Sequence, residues 1–592
     1  MEEQLSLIPD ASSEESAEKP RVVRLMGTSA ETSAVNLARR KELGAFYTPP
    51  AMAEKLVEWA VRSSQDHVFD PSFGGLVFLK SAWNRLQQLG ASAGDAGDQV
   101  HGIEIDAEAH SAAISRESTD LLPQRLLLGD FFVSEPGELI PRCQAVVGNP
   151  PYIRYQEFGR SSTVAHRIAK RAGVHLTRLA SSWAPFLVHA AAFVAPGGRM
   201  AQVLPAELLH AQYAGGVTDF LRQGFSRVTI VTFEERVFPG ALEEVVLLFA
   251  EDRGDNRDAE LKLLSCASFD DFELGKLEEP PVRRSSKCSP NQGGRDKLLI
   301  QLLPASTQAL YNEVRECDAV TRLGACADVD IGAVTGANDF FLLTDDEAKT
   351  LASELLHPVV SKAMHIRGAR YGLDDHEQLA VAGRKMQLFV ARASTPPDVI
   401  ATAEPRLEAG RKAGIHTRYK CRVRDPWWAV PLPRRGQPDL LLTYCASEHP
   451  RLVFNDAGVL QTNTIHGVYV HAPPDGKALT AGFYNSLTLL SAELVGRSYG
   501  GGVLKLEPTE AERLLIPHVT PDVASLLPEV DRLIRERDLE GALELVDPLV
   551  LGLGLNLTEA EIRELRAGAT RLRARRRSRS EKPSRGTKPS VS

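Results

Sequence analysis

The chain has few cysteines, no long apolar run and no surplus of positive charge, and each shortage removes a class of protein. Its seven cysteines, Cys143, Cys266, Cys288, Cys317, Cys326, Cys421 and Cys445, are scattered, odd in number and without a C-x-x-C pair. Neither a disulfide framework nor a structural zinc site is indicated. Nowhere do about 18 apolar residues run together, and Met1-Glu2-Glu3-Gln4 opens without a basic or apolar leader region. The expectation is a cytoplasmic protein with no membrane partner. With 69 basic against 77 acidic residues the net charge is −8, a weak argument against a nucleic-acid partner, since phosphate contacts follow local charge. His376-Glu377 lacks a second histidine four positions on, and Gly552-Leu553-Gly554 lacks a third glycine, so neither a zinc protease nor a dinucleotide fold follows.

What is present is densest at residues 145–152, Ala-Val-Val-Gly-Asn-Pro-Pro-Tyr. The apolar run suits a buried strand, and two prolines cannot donate ladder hydrogen bonds, so the strand must end at Asn149. In an open parallel sheet that edge is where ligands bind. The prolines stiffen a loop offering two acceptors, the Asn149 amide and the Pro150 carbonyl, beside the flat ring of Tyr152. Such a loop suits a planar substrate carrying an amino group.

Asn149-Pro150-Pro151-Tyr152 resembles the catalytic motif of amino-directed S-adenosylmethionine-dependent methyltransferases, chiefly the DNA adenine-N6 and cytosine-N4 enzymes. Upstream, Val68 to Leu79 reads as strand, glycine turn and helix, which lets backbone approach a ligand at a helix N-terminus. Asp70, Pro71 and Gly74 in it resemble the cofactor-binding motif of the same family, with Leu76 standing where a second glycine is common. The next strand ends at Glu104-Ile105-Asp106, and Glu104 resembles the family's ribose-binding acid, a carboxylate that can accept from both hydroxyls. A third strand runs into Asp130-Phe131, which the resemblance assigns to the cofactor's adenine amine and ring. Taken singly, Glu104 and Asp130 also read as solvated loop acids and Phe131 as a core residue. Tyr47-Thr48-Pro49, ahead of an amphipathic stretch from Ala51 to Val61, resembles the element closing over the methionine end of the cofactor. Its place before Asp70 matches the gamma-like type II order.

The resemblance implies an α/β fold, a Rossmann-like class I methyltransferase sheet plus a C-terminal mixed α/β target-recognition domain. Further strands are expected at residues 199–204 and 227–233, with 245–250 as antiparallel partner. The boundaries read as a disordered segment 1–34, a catalytic domain 35–274, a linker 275–296, a target-recognition domain 297–570 and a basic disordered tail 571–592. Val334 to Phe341 and Gly496 to Lys505 resemble segments of that C-terminal region. Residues 406–435 gather basic and aromatic side chains, and Arg418, Lys420, Arg422, Arg424, Trp427 and Trp428 are the candidate DNA contacts, the alternative being a basic face over a tryptophan core.

The implied reaction moves a methyl group from S-adenosyl-L-methionine to the N6 amine of an adenine in double-stranded DNA. Asn149 and the Pro150 carbonyl accept the amine's N–H groups, Pro151 holds the loop, and Tyr152 and Phe238 stack on the flipped base. The protein would be the modification component of a restriction-modification or phage-defence system. A restriction endonuclease is expected as a separate chain, because roughly 35 residues before the first motif cannot hold a nuclease domain. Two alternatives share parts of the pattern. One is a methyltransferase for another amine, such as cytosine N4, guanine N2 of ribosomal RNA or glutamine N5 of a protein. The other is an inactive DNA-binding relative.

Overall fold

Short runs of branched and aromatic residues, bounded by glycine and proline, form one eight-stranded sheet in the computed structural model. The structure describes residues 48–578 except 116–122, 154–160, 178–179, 212, 236–243, 255–258, 279–297, 393, 434, 472–474 and 500–501. In chain order the strands are β1 (Val68–Asp70), β2 (Val100–Glu104), β3 (Leu126–Leu128), β4 (Cys143–Gly148), β5 (Val194–Pro205), β6 (Phe225–Phe233), β7 (Val245–Arg253) and β8 (Glu260–Cys266). Their spatial order is β3-β2-β1-β4-β5-β7-β6-β8. β1 to β5 run parallel, β7 is antiparallel to β5 and β6, and β8 lies parallel to β6. The Rossmann-like sheet is therefore as expected, with β8 a strand the sequence reading did not foresee.

Every residue of β1 and β2 is buried, as both faces of a parallel sheet require. α1 (Pro50–Ala60) begins at a proline that needs no N–H partner and packs Met52, Ala53, Leu56, Val57 and Ala60 inward. α2 (Val77–Gln88) buries Phe78, Leu79, Ala82 and Leu86, and α3 (Ala107–Ile114) and α4 (Trp183–Ala190) add to the same core. The chain goes from β1 outward to β2 and β3, then returns to β4 and β5 on the other side. Strand order thus reverses between β1 and β4, and the loops leaving these strands part to form a crevice.

The second half is mixed α/β. One four-stranded sheet orders Ala327–Ile331, Ile465–Val470, Leu440–Thr443 and Leu452–Phe454, and another orders Leu342–Leu343, Gln387–Phe389, Leu356–Val360 and Leu460–Gln461. Leu263 of β8 packs against the cores of both halves, so the added strand is also their contact. Residues 275–278 form a helical turn, and residues 1–34 lie outside the described residues. Among the described residues, no helix is long and apolar enough to cross a membrane.

One expectation fails at the C-terminal end. The basic run from residue 571 begins as the last two turns of α6 (Glu559–Ser578), which packs on α5 (Ser486–Val495). Arg576 is 4% exposed and pairs with Glu493 through Nε at 2.9 Å and Nη2 at 2.7 Å. Its other donors reach the carbonyls of Ser447, Glu448 and Gly502, so all five guanidinium N–H groups have partners. Arg575 donates to Ser265 of β8 and the Ser578 hydroxyl to the Glu234 carbonyl, tying the helix to the first half. The arginine-rich composition suggested solvated charge, because the acid that satisfies Arg576 lies far away in sequence.

Arg576→Ala would leave Glu493 buried without a partner, a change expected to destabilise by about 3–5 kcal/mol. Replacing both, as Arg576→Met with Glu493→Leu, should recover most of that loss. Urea-unfolding midpoints of the single and double variants check it.

Candidate active site

β1 delivers Asp70 to the crevice, and the turn after it is shaped by backbone signs that most residues avoid. Gly74 has φ +46° and Leu76 φ +66°, after which α2 begins. The left-handed conformation costs a leucine about 1–2 kcal/mol. Leu76 is wholly buried, and burial of such a side chain contributes about 1.5–3 kcal/mol, so packing outweighs the strain. The turn consequently follows the path that a glycine at this position would take.

β2 ends in Glu104, whose carboxylate accepts the Gly74 N–H at 2.9 Å on one oxygen and the Asp106 N–H at 2.8 Å on the other. A carboxylate has about four acceptor positions, so Glu104 fastens the glycine turn and keeps capacity for two hydroxyl donors. Asp106 caps α3 by accepting the Glu108 N–H at 3.1 Å. Ile105 is 58% exposed and comes level with Gly129 in the next loop, because Glu104 pairs with Leu128. Asp130 accepts the Phe132 N–H at 3.0 Å. Two acids flanking an exposed apolar side chain can take hydroxyls, an amine and a flat ring.

On the other side of the crevice β4 ends at Gly148, between Asp70 of β1 and Gln202 of β5. A Cβ at residue 148 would lie 2.8 Å from Asp70 Oδ1 and 3.6 Å from Gln202 Oε1, so only glycine fits. Asp70 Oδ1 accepts the Ser72 N–H at 3.0 Å, and the Ser72 hydroxyl donates to the Asn149 carbonyl at 3.2 Å. Burial pushes the Asp70 carboxyl up to about 8, with the Glu104 charge adding to the rise and the Ser72 N–H opposing it.

The Asn149 amide is held at both ends. Its Nδ2 donates to Thr48 Oγ1 at 3.2 Å, and its Oδ1 accepts the Tyr152 hydroxyl at 2.6 Å, which also lies 3.0 Å from the Val203 carbonyl. Pro150 is buried, and the Pro151 carbonyl accepts the Ser182 hydroxyl at 2.5 Å. The Ile153 N–H donates to Ser182 Oγ at 2.8 Å, and the Ser182 N–H to the Ile153 carbonyl at 2.9 Å. Beside Ser182, the Ser181 hydroxyl and the Trp183 indole N–H both reach Glu207, just past β5. No motif marks Ser182 or Gln202; Ser182 acts from the start of α4 on the proline loop and Gln202 across strands, and only the folded chain reveals either. Pro49 accepts the Met52 N–H and so anchors Thr48 to α1.

Several expected roles change. Phe131 is 4% exposed, and its ring packs on Phe186, His189, Phe193 and Phe69 with centroids 4.5–5.9 Å away, so it serves the core rather than offering a face to a ligand ring. Tyr152 is 8% exposed, so its ring offers little stacking surface in this conformation. Trp427 and Trp428 are half-buried and pack against the cluster of Phe340 and Phe341, Trp427 lying 5.5 Å from Phe340 and Trp428 edge-on to Trp427, so part of each ring is committed to that core. Arg424 donates to the carbonyls of Thr335 and Val334, and Arg418 grips Asp339 with two bonds at 2.8 and 3.0 Å. The two segments singled out separately, around residues 334–341 and 418–424, thus form one unit. Lys420 and Arg422 stay exposed beside Tyr419, which is 66% exposed. Tyr47 and Phe238 lie outside the described residues.

The family model described as N-6 DNA Methylase matches residues 30–261, and that of the C-terminal domain of the type II methyltransferase M.Eco57I matches residues 295–551. The chain belongs to the type II N6 DNA methyltransferase family. The methyltransferase is 26% identical to the type II methyltransferase M.XamI of Xanthomonas campestris pv. amaranthicola, over 85% of its own length and 92% of that protein's. It is 21% identical to the type II methyltransferase M.AccI of Acinetobacter calcoaceticus, over 81% and 86% respectively. Among solved structures, the type IIL restriction-modification enzyme MmeI in complex with DNA covers 92% of this methyltransferase and 77% of that chain, at 11% identity and a TM-score of 0.49. The cofactor of the methyltransferase is S-adenosyl-L-methionine. The spare acceptor capacity of Glu104, the exposed Ile105 and the close backbone at Gly74 fit that molecule's ribose, ring and charged chain.

Because Asp70 is raised above its ordinary 3.8, its contribution to stability is fully present below that value and is lost as pH rises to about 8. Thermal unfolding of cofactor-free protein against pH should show wild type losing stability relative to Asp70→Asn across that window and no further above it.

Proposed function

We propose that this chain is a site-specific DNA adenine-N6 methyltransferase, the modification component of a restriction-modification or phage-defence system, working in the cytoplasm with a separately encoded endonuclease. The observation that carries the reading is the Asn149 loop at the reversal of strand order, with its amide fixed between Thr48 and Tyr152. The type II methyltransferases M.XamI and M.AccI support the setting.

In this reading Asp70, Pro71, Gly74, Glu104, Ile105 and Asp130, with Tyr47, Thr48 and Pro49, hold the cofactor. When bound, the cofactor supplies a methyl group on a positively charged sulfur. The chain's own work is to raise the nucleophilicity of a poor amine. An exocyclic amine conjugated with a purine delocalises its lone pair, and two acceptors, Asn149 Oδ1 and the Pro150 carbonyl, draw its N–H groups so that the lone pair leaves the ring plane. Their contribution is positioning and preorganised electrostatics. The base must leave the helix to reach them. The Tyr152 hydroxyl must then yield Asn149 Oδ1 to the amine, and Val203 O offers it a second acceptor. Stacking on Tyr152 and Phe238 belongs to this opened state. The exposed Lys420 and Arg422 contact phosphates of double-stranded DNA.

The deciding experiment is transfer of radiolabelled methyl to mixed-sequence duplex DNA, with nucleoside mass spectrometry of the product. N6-methyladenine is expected from wild type, with Asn149→Ala slower by about 10²–10³-fold. N4-methylcytosine would change the base; label in ribosomal RNA or protein would sink the DNA reading. Lys420→Ala and Arg422→Ala should each weaken DNA binding about equally on all sequences and reduce the salt slope of log Kd by about 1, measured by fluorescence anisotropy.

A further inference from the structure

Asp70 and Gln202 converge over Gly148 from strands on either side of β4. Gly148 pairs with Gln202 in the β4–β5 register, and both side chains are 1% exposed. Gln202 Nε2 faces the Val146 carbonyl at 3.4 Å, which turns Oε1 toward the gap above Gly148. Asp70 Oδ1 is taken by the Ser72 N–H. That leaves Asp70 Oδ2 and Gln202 Oε1 as two buried oxygens with no hydrogen-bond partner. The Asp70 carboxyl, through Oδ1, and Gln202 Oε1 flank the position a Cβ at Gly148 would take, and with Oδ2 and Oε1 both unsatisfied the pair needs a donor, since a buried unsatisfied polar group costs about 1–3 kcal/mol. The carboxyl can provide one by keeping its proton.

We propose that Gln202 is a positioning residue for methyl transfer: its amide oxygen accepts a hydrogen bond from the protonated Asp70 carboxyl across Gly148. The bond ties β1 to β5 over the end of β4, one residue before Asn149. From the β1 side, the Ser72 hydroxyl holds the Asn149 carbonyl. Asn149 is thereby held by Ser72 and follows directly on a residue braced from both neighbouring strands, so its amide projects from a braced edge rather than from a free loop. The inference rests on the methyltransferase reading for its effect on rate, but the bond itself does not.

The surroundings of Asp70 favour the neutral form. Among the described residues the charged group acting on it is Glu104 of β2, also acidic. β4 presents Gly148 and Asn149 and β5 presents Gln202, none of which titrates. Raising the pH through about 8 removes the donor and sets two acceptors against each other.

The direct test is infrared difference spectroscopy of the cofactor-free protein at neutral pH. A protonated-carboxyl C=O band should be present in wild type, absent in Asp70→Asn and shifted in Gln202→Leu. A wild type without that band would overturn the proposal whatever its activity. The kinetic test compares kcat against pH. Gln202→Leu should lower kcat by about ten- to a hundredfold, with smaller changes in KM for DNA. Gln202→Glu, which can share one proton with Asp70, should retain more of the rate than Gln202→Leu and move the alkaline decline to higher pH. Equal losses in both variants with unchanged pH profiles would overturn the positioning role. A wild type that transfers no methyl to DNA, with the infrared band intact, would instead remove the methyltransferase reading.

Discussion

The absence of a side chain at Gly148 is the constraint on which the site depends. Asp70, Gly148 and Gln202 stand side by side on three adjacent strands, and any Cβ at the middle position would press on the Asp70 carboxylate. Closeness there brings the glycine turn after β1 and the proline loop after β4 to the two walls of one crevice. The Ser72 hydroxyl then joins the walls by holding the Asn149 carbonyl. Glu104 extends the arrangement sideways, since one carboxylate fastens both the glycine turn and the start of the next loop.

The loop that carries Asn149 is rigid for reasons spread over several elements. Its two prolines limit backbone freedom and remove donors. Ser182, at the start of α4, satisfies the Pro151 carbonyl and both backbone groups of Ile153. Thr48 and Tyr152 fix the amide.

The two halves are joined by structure rather than by sequence proximity. β8 extends the first sheet, and its Leu263 touches the second core. α6 returns from the far end of the chain to place Arg575 on β8 and Arg576 against Glu493. A buried, fully hydrogen-bonded arginine is a geometric device more than a source of stability, because removing its charge from water offsets much of the attraction. It also binds the Gly502 carbonyl, so the helix fixes the position of that residue.

The sequence by itself determined the elements and their chemistry: strands ended by Asp70, Glu104 and Asn149-Pro150-Pro151, a helix begun at Pro50, and the order of motifs along the chain. These follow from local rules of glycine, proline and apolar period, which act over a few residues. Tertiary structure alone decided which side chains remain available. Phe131 has the composition of a ligand-facing aromatic, yet the hydrophobic effect draws it into a core whose other members lie tens of residues away, and Trp427 and Trp428 are half-covered against another such core. Arg418 and Arg424 have the charge for phosphate contacts, yet Asp339 and the carbonyls of Val334 and Thr335 claim them. Gln202, Ser182 and Arg576 carry no motif, because their roles come from pairing across strands and helices. Burial and partnership are properties of the folded chain, so residue type can propose a role but only the packing assigns it.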